Sequence, residues 1–217
     1  MKFPNAHSGV KKLFICEIIS IVAAALTIIG ATIAAIGLKK EGLLLTGGTI
    51  ILISGIALVV VFILQLVGLH QAGKDEIQIK YAFCATILGI ILGVVASILE
   101  SVSNAKGTQI AVAVINAIQT VAELLAAFYV LSGISALAGK LNDQAMEKQG
   151  RKLANWVIIF FIASIVFEFL GVILKENPTE WLAVLAGILV IVAGFVQLVV
   201  YIITFIYYCK AVKMLEK

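Results

Sequence analysis

Apolar residues run through this chain in six long blocks: Leu13 to Leu38, Leu43 to Leu69, Tyr81 to Val102, Ile110 to Leu137, Leu153 to Leu174 and Trp181 to Tyr208. Ile, Leu, Val and Ala follow one another there without the alternation of a barrel strand. Each block supplies the roughly 20 residues that an α-helix needs to cross the hydrocarbon core. The pattern predicts an all-α integral membrane protein with six transmembrane helices. The two prolines, Pro4 and Pro178, fall outside the blocks, so proline breaks none of them. Composition strengthens the reading: 62% of residues are hydrophobic, 13% are charged and the mean hydropathy is +1.15. Soluble domains carry about 25% charged residues.

The polar breaks set the expected orientation. All but four of the 16 Lys and Arg residues lie before the first block, after the second, after the fourth and after the sixth. The exceptions are Lys39, Lys40, Lys106 and Lys175. Positively charged loops stay in the cytoplasm, so both termini are expected there, as an even number of spans requires. Tyr81, Trp156, Tyr207 and Tyr208 then fall at inner ends and Trp181 at an outer end, where interfacial aromatics belong. The net charge of +4 suits a basic face beside anionic lipid and calls for no nucleic-acid partner. The first block is too long for a signal-peptide core and is expected to stay as a helix. Cys16, Cys84 and Cys209 fall at cytoplasmic ends, which predicts reduced thiols, and their spacing matches no metal motif. Arg151 is the single arginine, a bias compatible with an AT-rich bacterial genome and hence a bacterial inner membrane.

The blocks also repeat in pairs. "KKLFICEII", "IKYAFCATI" and "RKLANWVII" open the first, third and fifth, aligning Lys12, Lys80 and Lys152. The exits of the second, fourth and sixth align on Lys74, Lys140 and Lys213, bringing Phe62, Phe128 and Tyr201 into one register. Three tandem parallel helical hairpins are expected, over 13–74, 80–140 and 152–213 of a single membrane domain, related by an axis along the membrane normal. Small residues at four-residue spacing, Gly89, Gly93 and Ser97 on the third span and Gly30 with Ala34 and Ala31 with Ala35 on the first, mark helix contacts, within the chain or between copies. The longest polar break, Gly139 to Lys152, reads as a connector or an amphipathic segment on the membrane surface.

Candidate chemistry resides in polar residues inside the spans. Asn116, Gln119, Thr120 and Glu123 share one face of the fourth. Ser97, Glu100, Ser101 and Asn104 share a face of the third, and the two stripes are expected to face each other. Ser164 and Glu168 share a face of the fifth, and Gln197, Tyr201, Thr204 and Tyr208 one of the sixth. Glu123 lies about 20 Å from either end of its span at 1.5 Å per residue, beyond the reach of snorkelling. A charge there costs roughly 3 kcal/mol on insertion scales. No span has Lys or Arg in its interior to relieve it. What remains is a protonated acid, a carboxylate in a wet cavity or one holding a cation. The structural alternative is a hydrogen bond joining helices, at about 1 kcal/mol or less.

The motifs of hydrolases and nucleotide enzymes, HExxH, GxSxG and GxxxxGK, do not occur. The expectation is a non-enzymatic protein without metal or cofactor: a small transporter or channel-like protein with a polar intramembrane cavity. Glu123 would be its proton or cation site, and Asn116, Gln119, Thr120, Glu168, Gln197 and Tyr201 its further candidate residues. The alternative is a structural or assembly protein that docks a partner membrane subunit or itself. Carried onto the other hairpins, Glu123 corresponds to Ala57 and Val196, so the carboxylate is not a requirement of the hairpin.

Overall fold

The computed structural model describes the backbone of residues 2–37, 41–102, 106–176 and 180–216, and their side chains apart from 41, 106, 107, 110, 164–176 and 180–197. It is all-helical, with six helices: α1 (Pro4–Ile36), α2 (Glu41–Ala72), α3 (Ile77–Val102), α4 (Lys106–Lys140), α5 (Gln144–Glu176) and α6 (Glu180–Glu216). Five contain a described stretch long and apolar enough to cross a membrane: Pro4–Ile36, Gly42–Ala72, Ile77–Val102, Ala111–Lys140 and Leu198–Glu216. Much of the fifth apolar block, on α5, lies outside the described side chains. The protein is thus a membrane-embedded helical chain. It divides into two compact units, Met1–Asp75 with Val212–Lys217, and Glu76–Ala211.

In the first unit α1 and α2 pack as an antiparallel pair. In lipid no hydrophobic drive brings helices together, so association depends on close packing and interhelical hydrogen bonds. Here small residues recur every seventh position on both helices. Gly9, Cys16, Ala23 and Gly30 on α1 are buried, as are Gly47, Ser54, Val61 and Gly68 on α2. A seven-residue repeat keeps one seam facing its partner along the whole length of a helix pair. At one end, a methyl on Gly9 would stand 2.6 Å from the Ala72 backbone nitrogen and overlap the Gly68 carbonyl. At the other, a methyl on Gly47 would stand 2.6 Å from the Gly30 carbonyl oxygen. Between them the Cys16 thiol donates to the Val61 carbonyl (3.4 Å) and the Thr27 hydroxyl bonds Ser54 (2.9 Å). The small residues Gly30 and Ala34 therefore serve packing within the chain. α1 starts with Pro in its first turn, where a missing N–H costs nothing. Asp75 accepts from the Ala6 N–H (2.8 Å) and the Asn5 side-chain amide (3.0 Å), holding a carboxylate at a helix N-terminus.

In the second unit α3 packs on α4, and α4 on α5. The inward residues of α3, Ile79, Ala82, Gly89 and Ala96, have the same spacing as Leu13, Cys16, Ala23 and Gly30 on α1. Aligning Lys12 with Lys80 would set Cys16 against the exposed Cys84, whereas the buried faces set it against Ala82.

The break from Gly139 to Lys152 is neither a plain connector nor a surface-lying helix. The chain turns over Leu141 to Asp143, with Asn142 in the left-handed region (φ 61°), which Asn tolerates better than most residues. Asp143 caps α5 by accepting from the Met146 N–H at 3.0 Å. Residues 144–152 are thus the first turns of α5. They are held by the Ser135 hydroxyl, which donates to the Glu147 carbonyl (2.7 Å), and by the buried Tyr207 of α6, whose hydroxyl donates to the Met146 carbonyl (3.5 Å). A methyl on Gly150 would overlap the Tyr207 hydroxyl and stand 2.8 Å from Ser135 Cβ. Gly150→Ala should therefore lower the denaturation midpoint in mild detergent, at a cost of about 1–3 kcal/mol. Adding Tyr207→Phe should recover part of it; no recovery would place the strain elsewhere.

At the same end Lys140 pairs with Glu76 at 2.6 Å, the Glu76 side chain being 5% exposed. The Lys140 side chain is 49% exposed, so removing it strands only the buried Glu76 carboxylate, within reach of water, and costs about 1–2 kcal/mol, below the value for a fully buried pair. Lys140→Met should show a loss of that order by chemical denaturation, and adding Glu76→Gln should restore most of it. Equal stability of Lys140→Met and wild type would show that Glu76 needs no counter-charge.

Candidate polar site at the middle of α4

Glu123 is the midpoint of α4 (Lys106–Lys140), about 25 Å from either end at 1.5 Å per residue. Its Oε1 accepts from Gln119 Nε2 at 2.9 Å, one helical turn away. Among the described residues Gln119 is its hydrogen-bond partner, and no basic side chain pairs with it. Glu123, Thr120 and Asn116 are exposed and Gln119 is half-buried, so the polar stripe lies on the outer edge of the α3/α4 pair.

The sequence of α3 explains how this edge fits. Gly93 lies beneath the Gln119 amide, so that a methyl there would be 3.2 Å from Gln119 Oε1, and one on Gly89 would be 3.8 Å from Glu123 Cγ. Two glycines one turn apart thus leave room for two long polar side chains to lie against α3. The α3/α4 pair also has small residues on both helices, Gly89 near Ala122 and Gly133 against Ile79, and adds the polar bulk of Gln119 and Glu123 over Gly93 and Gly89.

Among the described residues no hydrogen bond joins the two stripes: Ser97, Glu100 and Ser101 are exposed on α3, and Asn104 lies outside the described residues. The Ser97 hydroxyl donates to the Gly93 carbonyl (2.9 Å), Ser101 to that of Ile98 (2.8 Å) and Thr120 to that of Asn116 (2.9 Å). Each is satisfied on its own helix, as are Thr46 and Thr49 on α2. Such back-bonding lets a hydroxyl sit in lipid at little cost without a partner on the neighbouring helix. Of the candidate residues the structure joins Gln119 to Glu123 and puts Asn116 and Thr120 on the same exposed face. Tyr201 is exposed on α6, while the side chains of Glu168 and Gln197 lie outside the described residues, as does that of Ser164.

Sequence reading missed Thr27 and Ser54, a polar pair across the α1/α2 seam. Their signal was the buried heptad that places Ser54 between Gly47 and Val61. Among the described residues no three His, Cys, Asp or Glu side chains gather as metal ligands. Cys16, Cys84 and Cys209 are free thiols. Comparison with protein-family models, curated proteins and solved structures finds no match to this chain.

Proposed function

We propose that this is a small multi-pass membrane transport or channel-like protein in which Glu123 is the proton or cation site and Gln119 orients its carboxyl group. One observation carries the reading. A carboxylate at the midpoint of a membrane-length helix is exposed, held by a neutral amide and without a basic partner among the described residues. Intramembrane carboxylates that lack a counter-charge mark ion and proton paths, because their cost is tolerated only for a gain in function. Asn116 and Thr120 extend the polar face toward the start of α4 and would form the mouth of the path. Glu168, Gln197 and Tyr201 are proposed for its continuation.

The reading includes three tandem hairpins with both termini in the cytoplasm, no covalent chemistry and no bound cofactor. The hairpin pairing is supported by α1 packing on α2 and α3 on α4, and by the shared spacing of the inward faces of α1 and α3. The cytoplasmic placement of both termini is supported by the lysine distribution, and the cell membrane as location is part of the proposal. A second reading, docking of another membrane protein or a second copy, draws on the exposure of the polar face.

The test is reconstitution into liposomes under an imposed pH or monovalent-cation gradient. The gradient should decay faster than in protein-free vesicles. Equal decay for protons and for each cation tried would overturn the transport reading.

A further inference from the structure

We propose that Ser8, Lys12 and Gln71 form a phosphate-binding site where the α1/α2 pair leaves the apolar core, and that its ligand is the phosphate group of an anionic lipid headgroup. The site is separate from Glu123 and does not depend on the transport reading.

Lys12 immediately precedes the first apolar block and Gln71 lies just past the second, so the antiparallel pair brings both to one end, at the depth of the headgroups. A lysine at that depth ordinarily snorkels, its ammonium among water and headgroups. Lys12 turns across to α2 instead. Its stem lies beside Gly68, where a methyl would stand 3.2 Å from Lys12 Cβ. The ammonium donates to the Ser8 hydroxyl (3.0 Å) and to Gln71 Oε1, and Ser8 donates to the same Gln71 oxygen (3.2 Å). All three side chains are half-buried. Both partners of the ammonium are neutral, and among the described residues no carboxylate pairs with it. Asp75, the acid just beyond α2, accepts from Asn5 and the Ala6 N–H instead.

The donors that remain decide the ligand. Lysine can only donate, so Gln71 must turn its oxygen toward Lys12 and its NH2 group away. That oxygen already accepts from two groups. What is left to offer a ligand is one N–H of the ammonium and the two of the amide, beside an uncompensated positive charge. A cation would be repelled there. A phosphate matches on both counts, since its oxygens accept several hydrogen bonds and its charge strengthens each. Basic pockets between spans suit the headgroups of anionic lipids for this reason. Lys11 and Lys74, exposed at the same end, raise the local positive potential further.

The experiment uses the full chain in a neutral detergent and follows the rise in Tm with short-chain phosphatidylglycerol, with phosphatidylcholine of the same acyl chains and with inorganic phosphate. Phosphatidylglycerol should raise the Tm. Phosphatidylcholine, whose choline offsets the phosphate charge, should raise it far less. Lys12→Met keeps the stem beside Gly68 and removes the charge, while Gln71→Glu gives Lys12 a carboxylate that takes the place of the ligand. Each should weaken binding about tenfold or more, the value of one hydrogen bond to a charged group. Lys11→Gln makes the same change in net charge at an exposed position and should stay within about twofold of wild type, because exposed charges are screened. Gln71→Glu adds an ion pair between α1 and α2, so it tests the site even where Lys12→Met fails to fold. A response to phosphatidylglycerol alone assigns the site to lipid; inorganic phosphate that binds by itself, with the same loss in both variants, keeps the site and assigns it to free phosphate. Equal weakening in all three variants, equal shifts with the two lipids, or no shift with either phosphatidylglycerol or phosphate would overturn the proposal.

Discussion

Reconstituted Glu123→Gln protein is expected to lose proton or cation flux about a hundredfold, or down to the leak of protein-free vesicles. A positioned group that gives and takes a proton contributes on the order of that factor. The substitution is chosen to change one property. Glutamine matches the length of glutamate and still offers an oxygen to Gln119 Nε2, so the 2.9 Å bond and the fit against Gly89 and Gly93 are retained. It can neither take up a proton nor neutralise a bound cation. Flux that persists at wild-type level would move the site away from α4. Flux lost together with the folded protein would show that the carboxyl group serves helix packing instead.

The second large effect is expected at the α1/α2 seam. Gly9→Val and Gly47→Val should each lower stability by about 3 kcal/mol or more. That is a large share of the roughly 5–15 kcal/mol that holds a typical fold together. The reason is that both glycines meet backbone. The nearest groups are the Gly68 carbonyl and Ala72 nitrogen for Gly9, and the Gly30 carbonyl and Ala34 nitrogen for Gly47, none of which can rotate aside. Gly48 is the control, because a methyl there would meet nothing within 4 Å. Gly48→Ala should stay within about 0.5 kcal/mol of wild type. The comparison is made by denaturant titration in one detergent. Equal stability of Gly47→Val and Gly48→Ala would mean that the seam does not hold the pair.

Much of this architecture is legible from residue pattern alone, because lipid allows few solutions. A run such as Leu43 to Leu69 must satisfy its backbone internally and so forms a helix. The position of Glu123 at mid-helix follows directly from that. Helix ends were harder to read. The polar stretch before Leu13 is helical because Pro4 starts it and Asp75, distant in sequence, caps it. The stretch from Gln144 to Lys152 is helical because Asp143, Ser135 and Tyr207 hold it, and two of these three are supplied from other helices.

The seam of α1 and α2 is written in the sequence at a seven-residue spacing that a search at four residues passes over. Gly9, Cys16, Ala23 and Gly30 share little chemistry beyond small size. The polar site was half legible. Period alone put Asn116, Gln119, Thr120 and Glu123 on one face. Whether that face turns inward or outward depends on where Gly89 and Gly93 let α3 approach, which is a matter of packing between helices.

If the carboxyl group at the middle of α4 is a working proton or cation site, water reaches it, and chemical labelling at position 123 reads that access. In protein with Cys84 and Cys209 changed to Ser and Glu123 changed to Cys, in liposomes, a small charged, membrane-impermeant thiol reagent should label position 123. The rate should come within about tenfold of that for the exposed Cys84 of a control protein that keeps it. Labelling of position 123 by a lipid-soluble maleimide alone, with no reaction toward the charged reagent from either side, would contradict the account.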